Sequence, residues 1–551
     1  MNRRTLLRTL LGATGASLLA ACNAPTPGMP AATAGQQSTA PTSAPTATGA
    51  TVTSAAAPTS ASDQPKRGGT LRTAQVGDPL NLDPQFFTPL SGDTTYVVLD
   101  RLINYDDKLQ PQPQVAESWD QSSDLKQIKL NLRKGVQFHD GREMTSDDVK
   151  YSMLRVRDPK VAAFASTLAA QSVWFSTIDT PDKYTLVLAS DSPRPGTFDF
   201  LQYLTIVDQN ALEAPDAAQR LNGTGPFKFV EWVQSDHFTL TRNPNYWDSA
   251  KPYLDGITVS FFKDPQTQIT NLEAGAVDVA ALPQLREAAR LQNDSNYQVQ
   301  AISTVGQYFY INANATMPPT DNKEFRQAIA YVADRQRFTD TVLYGLVGAP
   351  QDLPWAPQSP ASEPAKNGIY SYDLDKAKSL IAQSGVSDST MDITYATGGL
   401  QQEYALLAQI LQSDLAKIGV TATLRQIEPN TFLDQQIKRS YKGIFLSAGA
   451  YAHLQEASFL FNSSRTFNYK ADFSTSGIND DRWTQLATAA PTEPDLGKRK
   501  ALYSQLNDVI LDLCGTMPLS RYPQTAILRN NVRGLTYNQM PKFTFESAWL
   551  A

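Results

Sequence analysis

From Gly68 onward the apolar positions follow two periods that alternate along the chain. Thr70 to Val76 alternates every second residue, and so do Ile128, Leu130 and Leu132; both stretches predict strands with one buried face. Val149, Met153 and Val156 recur at spacings of four and three, which predicts one face of a helix. Thr145, with Asp148 three residues on, forms an acidic capping box at its start. Asp140-Gly141 marks the preceding turn, and Asp158-Pro159 a stop. Asn222 to Asp264 reads as two hairpin strands, an aromatic loop and a third strand. Asn271 to Leu282 reads as a helix end, with Gly275 past its terminus, followed by a strand. "EFRQAIAYVADRQRF" and "YDLDKAKSLIAQSG" predict amphipathic helices, the second ended by Gly385. "LLAQILQSDLAKIGVTATLRQI" predicts a helix, a stop at Gly419 and a strand. Helices and strands interleave with no fixed repeat, so the body is α/β.

The first 67 residues break this pattern. Arg3, Arg4 and Arg8 precede an uncharged run from Thr9 to Ala21. As a helix that run reaches about 20 Å, short of a bilayer core of about 30 Å, and it reads as a signal peptide over residues 1–21. Leu19-Ala20-Ala21-Cys22 resembles the bacterial lipobox, which implies cleavage before Cys22 and lipidation of its thiol. Arg3-Arg4 resembles a twin-arginine signal, with Asn2 where Ser or Thr is usual; the general secretory and twin-arginine routes both stay open. Residues 22–67 are then a lipidated Cys and a tether of Ala, Thr, Pro, Ser, Gly and Gln, too poor in large apolar groups to fold. As a flexible coil it spans roughly 35–40 Å. The expectation is a protein anchored to the outer face of the cell membrane, on its periplasmic side.

Composition excludes some classes and leaves chemistry scarce. The net charge is −6, and loss of the signal's arginines makes it more negative, so no nucleic-acid partner is expected. There are two cysteines; with Cys22 lipidated, Cys514 reads as a buried small hydrophobe. The three histidines, His139, His237 and His453, are far apart and in no metal-binding spacing. There is no CxxC, no phosphate-binding GxxxxGK[ST] and no GxSxG. The sequence points to no enzyme, no metal and no cofactor.

Several segments, in order, carry a resemblance. "LRKGVQFHDGREMTSDDVKYSM", "GTGPFKFVEW…TLTRNPNYWDSAKPYLDGI" and "FRQAIAYVADRQRF" resemble signatures of the family 5 extracellular solute-binding proteins, the peptide- and nickel-binding components of ABC importers. The resemblance covers about Gly68 to Val532. It implies a two-lobed periplasmic-binding-protein-like α/β fold of type II, with two hinge strands and an extra α/β subdomain on lobe one. Lobe one then spans 68–307, with the subdomain at about 106–205; lobe two spans 308–517; and 518–551 returns to lobe one. The crossings fall near Gly306 to Asn312 and near Pro518. His139 and Asp140 lie in the subdomain and read as scaffold. The implied function is capture of a small solute, a peptide, a peptide-like compound or an oligosaccharide, by a monomer that delivers it to ABC permease subunits. The alternative is a surface lipoprotein hydrolase, which needs a convergent catalytic pair of carboxylates; a third reading is a sensor or chaperone without a permease.

The resemblance also nominates a site. Relatives that bind peptides carry G-W-x-x-D, whose Asp pairs with the peptide amine; here "SAGAYAHLQEASF" places Gly449 at the Gly, Ala450 at the Trp and His453 at the Asp. Histidine cannot replace a carboxylate facing an ammonium, which implies a different ligand anchor. A one-residue shift would instead give that role to Glu456 or Asp472. The candidate ligand-binding residues are Asn81 and Asp83 in "LNLDP", Tyr308 and Tyr310 on one face of the first crossing, Trp355 in "LPWAPQ", and Tyr451 and His453 beside the altered anchor. Core packing and turn capping are the competing roles for these aromatics and for Asp83.

Overall fold

The computed structural model describes residues 64–86, 94–162, 166–302, 307–449, 456–457, 460–461, 465–470, 473–536 and 543–551. The signal segment, Cys22, Gly306, Tyr451, His453 and Asp472 lie outside the described residues.

Three sheets organise the chain. A seven-stranded sheet runs in the order 297–302, 524–529, 279–281, 70–76, 256–262, 237–242, 227–233. At its centre Thr70–Val76 lies parallel to Gly256–Phe262, with Thr70 opposite Gly256. A five-stranded sheet runs 421–427, 390–396, 443–449, 308–313, 516–521. A four-stranded antiparallel sheet, 116–121, 127–132, 185–189, 177–182, lies in the extra subdomain. Its core gathers Ile128, Leu130, Leu132, Val149, Met153 and Val156, the residues whose spacing predicts that strand and helix.

The chain changes sheet twice. The first change falls between Ile302 and Tyr308, so Tyr308 to Asn312 already belong to the five-stranded sheet. The second falls at Tyr522 and Pro523, between the strands Thr516–Arg521 and Gln524–Arg529. The change falls inside the stretch "TMPLSRYPQ" expected to hold it, but after Pro518, which lies within the first of these strands, opposite Tyr310. Pro lacks the N–H that a central strand must donate, but this strand is at the sheet edge, where the missing donor is tolerated.

Local signals set the element ends. The helix Ser146–Arg155 starts with Thr145 donating its N–H to the Asp148 carboxylate at 2.8 Å. Leu374–Ser384 ends at Gly385, with φ of 65°. Leu496–Leu513 ends at Cys514, buried and left-handed, whose thiol donates to the Leu511 carbonyl; burial pushes that thiol up to about 11. One expected helix divides. "EFRQAIAYVADRQRF" forms Lys323–Val332 and Arg335–Thr341, because Asp334 caps the second by accepting the Arg337 N–H. The Arg335 guanidinium fills the break, donating to the carbonyls of Ala330, Tyr370 and Pro518.

The signature residues tie the subdomain to the seven-stranded sheet. The Gly223 carbonyl accepts the His139 N–H at 2.9 Å, and Gly225 takes both His139 Nε2 and Asn243 Nδ2 at 3.0 Å. Both glycines lie against Val98, and a Cβ on Gly223 would stand 2.1 Å from the Val98 oxygen. Gly223→Ala should therefore lose about 1–3 kcal/mol to overpacking. Gly348→Ala, where a Cβ meets nothing, should melt with the wild type; equal melting of both variants would remove the packing argument.

His139 is scaffold with a pH signature. Nε2 donates to the Gly225 carbonyl, and the buried Nδ1 has no partner. A second proton would have to sit on Nδ1, so burial, aided by the Lys228 charge, lowers the pKa from 6.5 to about 4. The unfolded chain takes up the proton first. The stabilisation is thus complete above pH 6.5 and is lost as the pH falls toward 4, by about 3 kcal/mol. Urea unfolding from pH 7 to 4 should show a shallower decline for His139→Gln, which keeps the donor but not the proton site.

Candidate functional site

The two crossings converge on one end of the five-stranded sheet. Tyr308 pairs with Gly449 on one side and with Arg521 on the other. Gly449 has φ of +146°, a conformation open to glycine and strained for other residues. Arg521 Nε donates to Gln351 Oε1 at 3.1 Å. The connections are bonded to each other: the Tyr522 N–H donates to the Gln307 carbonyl at 2.8 Å, and the Gln524 amide to the Gln307 side chain at 2.9 Å. Tyr308 is fully buried, and burial keeps its phenol protonated. Tyr310 belongs to a separate aromatic cluster with Phe432, Tyr441 and Phe445, its hydroxyl 3.4 Å from Thr466 Oγ1. Tyr308 packs into the main core of the five-stranded unit, so the two tyrosines join different clusters.

A second meeting point joins the subdomain to the five-stranded unit. Asp199, on the subdomain helix Thr197–Tyr203, is 1% exposed. One of its oxygens accepts the Tyr105 hydroxyl at 2.7 Å, and the other accepts the Glu456 backbone N–H at 2.9 Å. The Glu456 carboxylate turns the other way. It receives Arg499 Nε at 3.0 Å and the Tyr503 hydroxyl. Arg499 also donates to the carbonyls of Glu493 and Pro494. Burial raises the Glu456 pKa even with Arg499 beside it. Gln358 Nε2 donates to the Asp107 carbonyl at 3.2 Å, and Ala356 packs into the subdomain core. These contacts border a crevice of about 560 Å³ with Gln110, Gln121, Phe198, Ser359 and Lys500 on its walls.

Asp199 and Glu456 are not the carboxylate pair that a hydrolase needs: one carboxylate binds the other residue's backbone, and the second is held in an ion pair. Among the described residues no cluster of His, Cys, Asp and Glu is arranged to hold a metal, and no helix is long and apolar enough to cross a membrane.

The remaining candidates are placed as follows. The Asn81 side chain accepts the Asp83 N–H at 2.9 Å, closing a turn. Asp83 accepts the Gln85 N–H and is paired with Arg155 of the subdomain at 2.5 Å. Trp355 is 3% exposed, its Nε1 donates to Asn507 at 2.6 Å, and its ring packs edge-on against Phe461. Its polar handle is spent inside the core, so Trp355 is a packing residue here. Gly449 and Glu456 place the two flanks of the segment that holds Tyr451 and His453: one at the crossings, the other against the subdomain. Asp199, Tyr105, Gln358 and Arg499 carry no signal in the sequence, since nothing near them forms a motif.

With this geometry in hand the comparisons are decisive. The profile described as bacterial extracellular solute-binding proteins, family 5, middle region, matches residues 110–470. The chain belongs to this family. Among the relatives of this family 5 protein, di/tripeptide-binding protein 2 of Pseudomonas aeruginosa is 26% identical over 466 residues, covering 78% of this chain and 84% of the relative. Dipeptide-binding protein DppE of Bacillus subtilis is 23% identical over 522 residues, covering 86% and 91%. Among solved structures, AgaA of A. tumefaciens R10 in complex with agropinic acid superposes with a TM-score of 0.72 at 26% identity, covering 88% of this chain and 99% of AgaA. CtaP of Listeria monocytogenes, an ABC transporter substrate-binding protein, reaches a TM-score of 0.78 at 22% identity, covering 88% and 100%. The family 5 fold is the type II periplasmic-binding fold, so the two sheets and paired crossings are those of a solute-binding protein.

Proposed function

We propose that this protein is the extracytoplasmic substrate-binding component of an ABC importer, anchored by a lipid on Cys22. It captures a peptide or peptide-like solute and delivers it to a permease. One lobe takes residues 68–302 and 524–551, with the subdomain at about 106–205; the other takes 308–521. The observation that carries this reading is the pair of bonded crossings between two sheets, combined with direct contact across the seam at Asp199 and Glu456. Two bodies joined by short antiparallel connections open and close about them, and a solute that touches both walls favours the closed form. The tether holds the receptor near its permease and raises the local concentration. The protein acts as a monomer and transforms nothing.

The ligand class follows the relatives, which are named for dipeptides and tripeptides, and AgaA, which holds agropinic acid. Tyr451 and His453 are assigned to the solute site because their segment resembles the anchor segment of peptide-binding relatives, and Asp83 because its loop resembles one that borders their cleft. His453 in the usual Asp position removes the amine anchor, and an oligosaccharide or a modified peptide then fits as well as a free peptide. Native mass spectrometry of the purified protein should detect a bound small molecule, and titration of a dipeptide-to-oligopeptide panel should rank it. An empty protein that binds no member of the panel overturns the reading. Cleaved products in place of bound peptide turn it toward a hydrolase. His453→Ala should lower the affinity for the solute; unchanged binding rejects that assignment.

A further inference from the structure

The crevice at the seam holds about 560 Å³, a size that encloses a small organic ligand. Its walls come from both bodies. Gln121, Leu125 and Phe198 belong to the subdomain, and Leu496, Arg499 and Lys500 to the five-stranded unit. The last three stand together at the start of the helix Leu496–Leu513. None of Asn81, Asp83, Tyr308, Tyr310 and Trp355 lines it, so those candidates leave it unexplained.

Its charge is one-sided. Glu456 is the only acid on the walls among the described residues, and Arg499 Nε and the Tyr503 hydroxyl already hold its carboxylate. The cations are not used up. Arg499 is 7% exposed and spends Nε on Glu456 and Nη1 on the carbonyls of Glu493 and Pro494. Its Nη2 donates no hydrogen bond among the described residues and is not sealed off, in contrast to the guanidinium of Arg101, whose three nitrogens are buried and also lack a partner. Lys500 is exposed and forms neither an ion pair nor a side-chain hydrogen bond among the described residues.

The rest of the lining is apolar where it matters. Leu496 is 48% exposed, and with Leu125 and Phe198 it offers surface that gains from being covered. Two single positive charges beside such surface suit a carboxylate carried on an apolar body. A phosphate would leave further charged oxygens against Leu125, Phe198 and Leu496, at a desolvation cost that the carboxylate avoids.

We propose that the crevice is a second ligand site, for an organic carboxylate with an apolar body. Arg499 Nη2 and the Lys500 ammonium hold the carboxylate, and Leu496, Leu125 and Phe198 cover the apolar part. Because the walls come from both sides of the seam, this ligand favours the closed form. The carboxylate belongs either to a free small molecule or to the C-terminal residue of the captured peptide; the second source rests on the solute-binding reading above, the first does not.

Hydrocinnamate, compared with its uncharged amide, tests the free molecule. Calorimetry should show the acid binding about tenfold more tightly than the amide, and Lys500→Met should remove that preference. Leu496→Ser should weaken the acid roughly fivefold. Both positions are exposed, and melting curves check that the variants fold. The tightest peptide of the panel, compared with its C-terminal amide, tests the second source. If the crevice takes the peptide's own carboxylate, Lys500→Met weakens the acid and not the amide, and hydrocinnamate competes with the acid. If it takes a separate molecule, hydrocinnamate tightens peptide binding in the wild type and less so in Lys500→Met, by linkage through the closed form. Either pattern supports the site. The proposal is overturned if Lys500→Met changes neither hydrocinnamate nor peptide binding, or if a crystal structure grown with hydrocinnamate shows the crevice holding only water. Peptides that bind regardless of Lys500 and of hydrocinnamate overturn the crevice and leave the solute-binding reading intact. Failure of every peptide to bind, with a hydrocinnamate preference lost in Lys500→Met, does the reverse.

Discussion

Arg499→Met should lower the unfolding free energy by about 3–5 kcal/mol, the effect of leaving one member of a buried ion pair without the other. Glu456 is 4% exposed and Arg499 8% as side chains, so both charges are largely shielded from water. Without Arg499 the Glu456 carboxylate keeps the Tyr503 hydroxyl, and two backbone carbonyls, of Glu493 and Pro494, lose their donor. The double variant Arg499→Met with Glu456→Gln should recover most of the loss, because the stranded charge is gone. The sign with pH is fixed by the same burial. Burial already raises Glu456 above the ordinary carboxyl value, so folding makes its proton harder to lose. Loss of Arg499 raises it further, and the deficit of the single variant should shrink as the pH falls. Urea unfolding at pH 7 and pH 5 measures both. A single-variant loss below about 1 kcal/mol, in the range of exposed pairs, would show that this pair is not desolvated.

Asp199→Ala should weaken solute capture by about one to two orders of magnitude. In the contact seen here Asp199 is the acceptor for the Glu456 N–H across the seam. When the seam parts, that N–H can bind water; when it closes over alanine, the N–H is buried without a partner. The Tyr105 hydroxyl loses its acceptor in both forms, but the Glu456 N–H loses its partner in the closed form alone, so the difference falls on closure and the open form gains population. Calorimetry against the tightest peptide of the panel reads the affinity. Small-angle scattering of the ligand-free protein reads the population, as a larger radius of gyration for the variant. Asp199→Asn, whose amide oxygen still accepts, should fall between the two. Equal affinities for wild type and Asp199→Ala would mean that the seam does not govern closure.

Closure through ligand-independent contacts has a consequence for transport. A receptor whose two sides already meet at Asp199, Gln358 and Ala356 needs less from its solute to reach the closed form. Broad solute ranges then become compatible with useful affinity, because part of the closing free energy is supplied by the protein itself.

The sequence determined the elements and their ends. The alternation in Gln127–Leu132, the Thr145 and Asp148 cap, and the stops at Gly385 and Gly419 all depend on residues a few positions apart, and the structure places each of them as the pattern predicts; Thr70–Val76 is a strand as expected, but at the sheet centre Thr73, Ala74 and Gln75 are all buried, so both its faces are covered. The blocks holding His139, Gly223 and Asn243 identified the family, and with it the fold. What the tertiary structure decided is which polar group meets which. Trp355 reads in sequence as either a cleft or a core aromatic; Asn507, 152 positions away, takes its indole N–H and fixes it in the core. Asp199 meets the Glu456 N–H across 257 positions, and no spacing rule reaches that far. The isolation of Arg101 is visible only once every neighbour has been placed, because a missing partner has no signature in a sequence. Periods and caps are short-range properties of the backbone; burial, pairing and closure belong to surfaces that the chain brings together only by folding.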